Sequence, residues 1–84
     1  RGIKFELTFK RFKELKRTKH CFYTGSTFGN KGDSQKTFER LDSSLGYTDK
    51  NTVVCIKRLN LAKNNLSISD IIVLYNGLKR KNLT

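Results

Sequence analysis

Apolar and polar positions change rhythm several times along this chain of 84 residues. Through "IKFELTF" they alternate, and then Phe9, Phe12 and Leu15 recur at every third position, which predicts a helix opening after Thr8 as its N-cap. Lys10, Arg11, Lys13, Lys16, Arg17 and Lys19 crowd the rest of that segment. The helix is therefore expected to dock by its aromatic edge, with Phe9 and Phe12 in the core, and to offer a basic face. "HCFYTGSTF" is aromatic and β-branched up to Gly25 and predicts a strand running into a turn. After the connection "GNKGDS", the stretch "KTFERLD" predicts a second strand, with Thr37, Glu39 and Leu41 on one face and Phe38, Arg40 and Asp42 on the other. The two strands are expected to pair as an antiparallel hairpin with a long loop.

Gly46 then breaks the chain, and Asn51 is placed to cap a helix from Thr52 to about Lys63. In the last segment Ser67 followed by Asp70 reads as a capping box. Ile68, Ile71, Ile72, Tyr75 and Leu78 form an apolar stripe behind it, and Lys79, Arg80 and Lys81 fill the last turn, where cations suit the helix dipole. The order expected is helix, strand, strand, helix, helix: an α+β domain made of a basic N-terminal helix, a hairpin-plus-helix unit over about residues 20–65, and a C-terminal helix. Residues 1–84 are expected to form one domain, and because the first residue is Arg1 rather than Met, part of a longer chain.

Charge changes the picture more than composition does. Eighteen Lys and Arg against seven Asp and Glu leave a formal charge of +11. Such an excess speeds encounter with polyanions, and nucleic acid is the natural partner because every phosphate neutralised by Lys or Arg releases counterions. Lys10, Arg11, Lys13, Arg17, Lys57 and Arg58 are the candidate DNA-binding cations. The longest apolar run, Ile71 to Tyr75, is far short of a bilayer span, so no membrane partner is expected. Cys21 and Cys55 could form one disulfide, but nothing else suggests secretion and both are expected to be buried and reduced; neither belongs to a Cys-x-x-Cys pair, so no structural zinc is expected. Cytoplasmic residence is expected.

One stretch is more ordered than a solvated loop requires. "TFERLDSSLGYTDKN" sets Glu39 beside Arg40, then Asp42, a Gly46–Tyr47 step and Asn51. A strand–strand–helix frame can bring Glu39, Arg40 and Asn60 over one phosphate. A carboxylate and an amide oxygen are hard donors suited to Mg²⁺ or Mn²⁺ completed by water and phosphate oxygens. Each residue also has a plainer reading: cross-strand charges for Glu39 and Arg40, a turn for Asp42, a core ring for Tyr47, a helix surface for Asn60.

With "TFERLDSSLGYTDKNTVVCIKRLNLAK" the chain resembles the HNH, or ββα-metal, endonucleases, in particular the branch common in phage proteins that reads Asp-Arg-Ile-Asp-x-x-x-Gly-Tyr-x-x-x-Asn and then Asn-x-x-Lys on a helix. The resemblance implies a divalent-metal-dependent endonuclease on double-stranded DNA, in the host cytoplasm if the chain is phage-encoded. Glu39 stands at the family's metal-binding Asp and Arg40 at its general-base His. Asn51 stands at the middle Asn that fixes the loop, Asn60 at the residue completing the metal site, Lys63 at a basic companion, and Tyr47 at the Tyr of the Gly-Tyr step, a nucleophile or phosphate contact.

Two departures matter. Glu39 is one methylene longer than Asp, and Arg40 cannot accept a proton at neutral pH. The attacking group would then be Tyr47 or a water. His20, the only histidine, is expected to face the site from across the hairpin if it has any role. The alternative to an enzyme is the same frame without activity, gripping DNA or interfering with a nucleic-acid-processing machine. A small RNA- or ribosome-associated basic protein accounts for the charge but not for the ordered stretch.

Overall fold

The computed structural model describes residues 3–83, a mixed α+β arrangement of short strands and three α-helices. In chain order these are β1 (Phe5–Glu6), α1 (Phe9–Arg17), β2 (Lys36–Arg40), β3 (Tyr47–Thr48), β4 (Thr52–Ile56), α2 (Lys57–Lys63) and α3 (Ile68–Arg80), with a 3₁₀ turn at Gly32–Ser34 before β2.

The hairpin forms, but with a different second strand from the one expected. β2 pairs antiparallel with β4, from Lys36 opposite Ile56 to Arg40 opposite Thr52. Four of the five residues of β4 (Thr52, Val53, Val54 and Ile56) are β-branched, stiff at χ1 and better accommodated on a pleated strand than in a helix. The helix expected from Thr52 therefore starts at Lys57, whose amide donates to the Gln35 carbonyl at 2.8 Å. The "HCFYTG" segment is not a hairpin strand. It folds into a tight turn, with the Gly25 amide donating to the Cys21 carbonyl and Gly25 at φ +76°, where glycine carries no Cβ penalty. It touches the sheet through the Phe22 amide, which donates to the Val54 carbonyl on the free edge of β4.

The hairpin is the middle layer between two helices. Alternation along β2 sends Lys36 and Phe38 toward α1 and Thr37 and Glu39 toward α2. On the first side the Phe12 and Phe38 rings lie 5.8 Å apart and the Lys36 ammonium donates to the Lys16 and Thr18 carbonyls. On the second side Asn60 and Lys63 reach across to β2. The buried core is small: Leu15, Cys21, Val53, Val54 and Cys55. Both cysteines are free thiols, and burial pushes the Cys55 thiol up to about 11, so it stays protonated near neutrality.

The helix ends follow the sequence closely. The Thr8 hydroxyl accepts the Arg11 amide as N-cap, and Ser67 and Asp70 form the reciprocal capping box of α3. Asn82, at φ +60°, closes α3: the Leu83 amide donates to the Leu78 carbonyl and the Asn82 amide to the Lys79 carbonyl, the two bonds of a Schellman motif.

The expected burial of Phe9 and Phe12 is overturned. Phe9 is 71% exposed and Phe12 is 37% exposed, whereas Leu15 is buried. The side of α1 that docks is that of Arg11, which donates to the Asp49 and Thr52 carbonyls, and of buried Leu15; Phe9 lies roughly 120° round the axis from Leu15 and falls outside it.

β1 adds a two-residue parallel contact with β3, Phe5 opposite Tyr47. The Tyr47 amide donates to the Lys4 carbonyl at 2.8 Å, and this close approach explains Gly46: a Cβ there would collide with the Lys4 carbonyl. Gly46→Ala is expected to destabilise the domain by about 1–3 kcal/mol through this overpacking. Urea unfolding followed by circular dichroism checks it; a midpoint equal to that of the unsubstituted protein would mean that β1 yields freely.

Candidate functional site

Loop 41–51, between the end of β2 and the start of β4, carries most of the residues singled out by the sequence, and its own side chains hold it in shape. Asn51 is buried and serves the loop on three sides: its Oδ1 accepts the Asp42 amide at 2.9 Å, and its Nδ2 donates to the Asp42 carbonyl at 3.1 Å and the Gly46 carbonyl at 2.8 Å. It does not cap a helix, because the residues that follow it are β4. Asp42 accepts from both the amide and the hydroxyl of Ser44, an Asx turn that holds its carboxyl below the usual range. Arg40 Nη1 donates to the Ser43 and Leu45 carbonyls at 2.8 and 3.1 Å, and its guanidinium lies 5.4 Å from the centre of the Tyr47 ring. The other flank of Tyr47 is taken by Phe5, with ring centres 5.7 Å apart.

Glu39 and Lys63 do come together, as a buried ion pair. The Lys63 ammonium is 3.0 Å from Glu39 Oε2, the two side chains are 9% and 6% exposed, and the same ammonium donates to the Arg40 carbonyl at 2.7 Å. The Tyr23 hydroxyl is a third member, 3.5 Å from Glu39 Oε2. Burial, and then the neighbouring Glu39 carboxylate, push the Tyr23 phenol up to about 12, so it is a neutral donor. Asn60 Nδ2 donates to Thr37 Oγ1 and to the Phe38 carbonyl, both at 3.0 Å, which fastens α2 to β2.

This arrangement does not fit a divalent cation. Glu39 already faces a cation of its own, and a metal on that carboxylate would sit against the Lys63 ammonium, a like charge in a poorly screened place. Asn60 turns its Nδ2 to Thr37 and the Phe38 carbonyl, and its one hydrogen-bonded partner side chain is Thr37, not Glu39. Among the described residues no three His, Cys, Asp or Glu side chains gather where a metal could be held.

His20 is not across the hairpin from Glu39, because β4 occupies that position. It bridges to Thr27 and lines a shallow depression with Leu15, Thr18, Phe22 and Val54, by α1. Arg11 is also turned away from solvent partners: its guanidinium donates to the Asp49 and Thr52 carbonyls and pairs with Glu14. Lys10, Lys13, Arg17 and Arg58 stand exposed, and Lys57 is half-buried.

Three residues that matter to this region carry no signal in the sequence. Asp49 clamps α1 to the loop by accepting both the amide and the hydroxyl of Thr8 at 2.8 Å, which holds its carboxyl low. Ser43 donates to the carbonyls at Asn65 and Leu66, tying the loop to the α2–α3 connection. Tyr23 reaches Glu39 only because the turn after Cys21 lies on the edge of β4. All three depend on contacts distant in sequence, which no local spacing reports.

No family model matches the chain, and no solved structure matches it significantly. The chain is similar to an uncharacterized 29.0 kDa protein in the dda-modA intergenic region of Enterobacteria phage T4, 29% identical over 73 residues, or 86% of this chain. The matched region spans 29% of the length of that phage protein.

Proposed function

We propose that this protein is a nucleic-acid-binding module with an HNH-like hairpin–helix frame that grips its target without cutting it. The observation that carries the reading is the imbalance of its surface charge. Of the 18 Lys and Arg in the chain, only Arg11 and Lys63 take part in the ion pairs of the described residues. The rest leave a polycation with carboxylates too few to neutralise it, which favours phosphate-rich partners. The Glu39–Lys63 pair supports the silent form of the frame, since the carboxylate that would take a metal is already neutralised. A phage relative is in keeping with action in a host cytoplasm, and no described helix is long and apolar enough to cross a membrane.

The endonuclease reading has one observation in its favour. Glu39 and Arg40 end β2, Asn51 closes the loop, and Asn60 lies on the helix that follows β4, the order in which HNH enzymes present their residues.

One experiment separates the two. Fluorescence anisotropy with labelled oligonucleotides is expected to show binding that is equal in EDTA and in Mg²⁺ and that weakens steeply with salt. The logarithm of affinity should fall against the logarithm of salt with a slope of about −0.7 to −0.9 per phosphate neutralised. Supercoiled plasmid incubated with Mg²⁺ or Mn²⁺ is expected to stay intact. Metal-dependent nicking that disappears in Asn60→Ala would establish the enzyme instead, and absence of binding at low salt would remove both readings.

A further inference from the structure

We infer that the target is single-stranded nucleic acid, its bases stacking on the exposed rings at the ends of an aromatic row that runs from α1 to β1. The inference rests on the nucleic-acid-binding reading above and names the form of the ligand.

The row is assembled from residues far apart in sequence. Phe9 and Phe12 are neighbours on α1 at i and i+3. Phe12 meets the Phe38 ring at 5.8 Å, and Arg40, two residues further along β2, lies on the same face of the strand. The Arg40 guanidinium covers Tyr47 at 5.4 Å, and Tyr47 meets Phe5 at 5.7 Å. Both ends are open: Phe5 is 70% exposed and Phe9 is 71% exposed. Large rings left this bare at both ends of one row, with half-exposed Phe38 and Tyr47 between them, mark a binding surface rather than scattered exposure.

Charge identifies the occupant. The Lys13 ammonium stands 4.9 Å from the Phe9 ring centre, and Lys16 follows one turn further on the same side of α1, with Lys10 nearby. Cations interleaved with exposed rings suit a ligand that offers phosphates and flat aromatic faces at alternating positions. A single strand does so, since its bases are free to leave one another and stack on protein rings. A duplex keeps its base faces inside and would meet only the lysines. A second copy of this chain would bring cation against cation, and a lipid surface would leave the paired rings without stacking partners.

The test compares a labelled 20-nucleotide single strand, as DNA and as RNA, with the duplex of the same sequence, all by anisotropy at matched salt. The single strands are expected to bind more tightly than the duplex. Phe5→Ala with Phe9→Ala is expected to weaken single-strand binding by about 30-fold or more, since each ring that stacks a base contributes about 5- to 150-fold, while duplex binding changes less than about twofold. Both rings are exposed, so the double variant should retain its circular dichroism and melting midpoint. The chain has no Trp, so Phe9→Trp provides a single reporter whose emission should be quenched by the single strands and not by the duplex. A strand preference confined to DNA or to RNA names the source and leaves the inference standing. Equal or tighter duplex binding with the double variant unchanged would overturn the inference and keep the binding reading; loss of all binding in the unsubstituted protein would overturn both. Concentration-dependent self-association abolished by the double variant, with no strand preference, would assign the row to a second copy and overturn it as well.

Discussion

Lys63→Ala is expected to destabilise the protein by about 3–5 kcal/mol, the cost of leaving one member of a buried ion pair without its partner. The buried Glu39 carboxylate would keep only the Tyr23 hydroxyl at 3.5 Å, and the Arg40 carbonyl would lose its 2.7 Å donor at the same time. For a domain of this size each kcal/mol moves the melting midpoint by roughly 4–8 °C, so the fall should be large and easily read by thermal circular dichroism. Replacing both partners reverses most of it. Glu39→Leu with Lys63→Met removes both charges and retains comparable volume, and is expected to melt near or above the unsubstituted protein, because burying two ions costs desolvation that two apolar side chains avoid. A single variant within a few degrees of the parent, with no recovery in the double, would mean that the pair behaves like an exposed one and that the space beside Glu39 is open to solvent.

The same ion pair bears on metal. If Lys63 is the cation that Glu39 is built to hold, millimolar Mg²⁺ leaves the melting midpoint of the parent protein where it was, since a ligand stabilises a fold only by binding its folded form. A clear upward shift with Mg²⁺, lost in Asn60→Ala, would favour the endonuclease reading and place Asn60 among the ligands.

Some of this architecture was legible in the sequence, and physical reasons separate that part from the rest. Caps are local devices whose partners lie within a turn, so Thr8 before α1 and the Ser67–Asp70 box before α3 could be read directly. β2 was legible because alternation over "KTFERLD" has no competing period. β4 was not, because Val53, Ile56 and Asn60 happen to fall at helical spacing while their β-branched neighbours favour a strand, and only pairing with β2 decides the matter. Glu39, Arg40 and Asn60 were expected to converge; instead Glu39 meets Lys63, Arg40 turns to the Ser43 and Leu45 carbonyls, and Asn60 bonds Thr37 and Phe38. The partner of Glu39 was not legible: spacing along a helix puts a lysine near a carboxylate but does not tell whether it closes on it or leaves a gap for another cation. Phe9 was assigned to the core by its spacing, and the turn of the helix carried it to the surface.

Asn51 carries the second large effect. Its side chain makes three hydrogen bonds to the backbone of the loop, more than any other side chain there, and the residue is 7% exposed. Asn51→Ala strands the Asp42 amide and the Asp42 and Gly46 carbonyls, and with about 1–3 kcal/mol for a buried polar group left unpaired the total is expected to reach about 2–4 kcal/mol after partial access of water. Asn51→Asp is the sharper probe, because it keeps the shape and the acceptor but turns the donor toward Asp42 and Gly46 into a second carboxylate oxygen, aimed at two carbonyls. It is expected to cost at least as much as alanine at neutral pH and to recover part of the loss in acid, where a protonated carboxyl regains one donor. Urea unfolding at pH 7 and pH 4 measures both. The loop also carries Arg40 to Tyr47 and Tyr47 to Phe5, so a protein with Asn51→Ala that remains folded at low temperature should bind single strands more weakly while its lysines still hold the duplex. Undiminished single-strand binding by that folded variant would show that the aromatic row keeps its form without the loop, and would detach the role of Asn51 from recognition altogether.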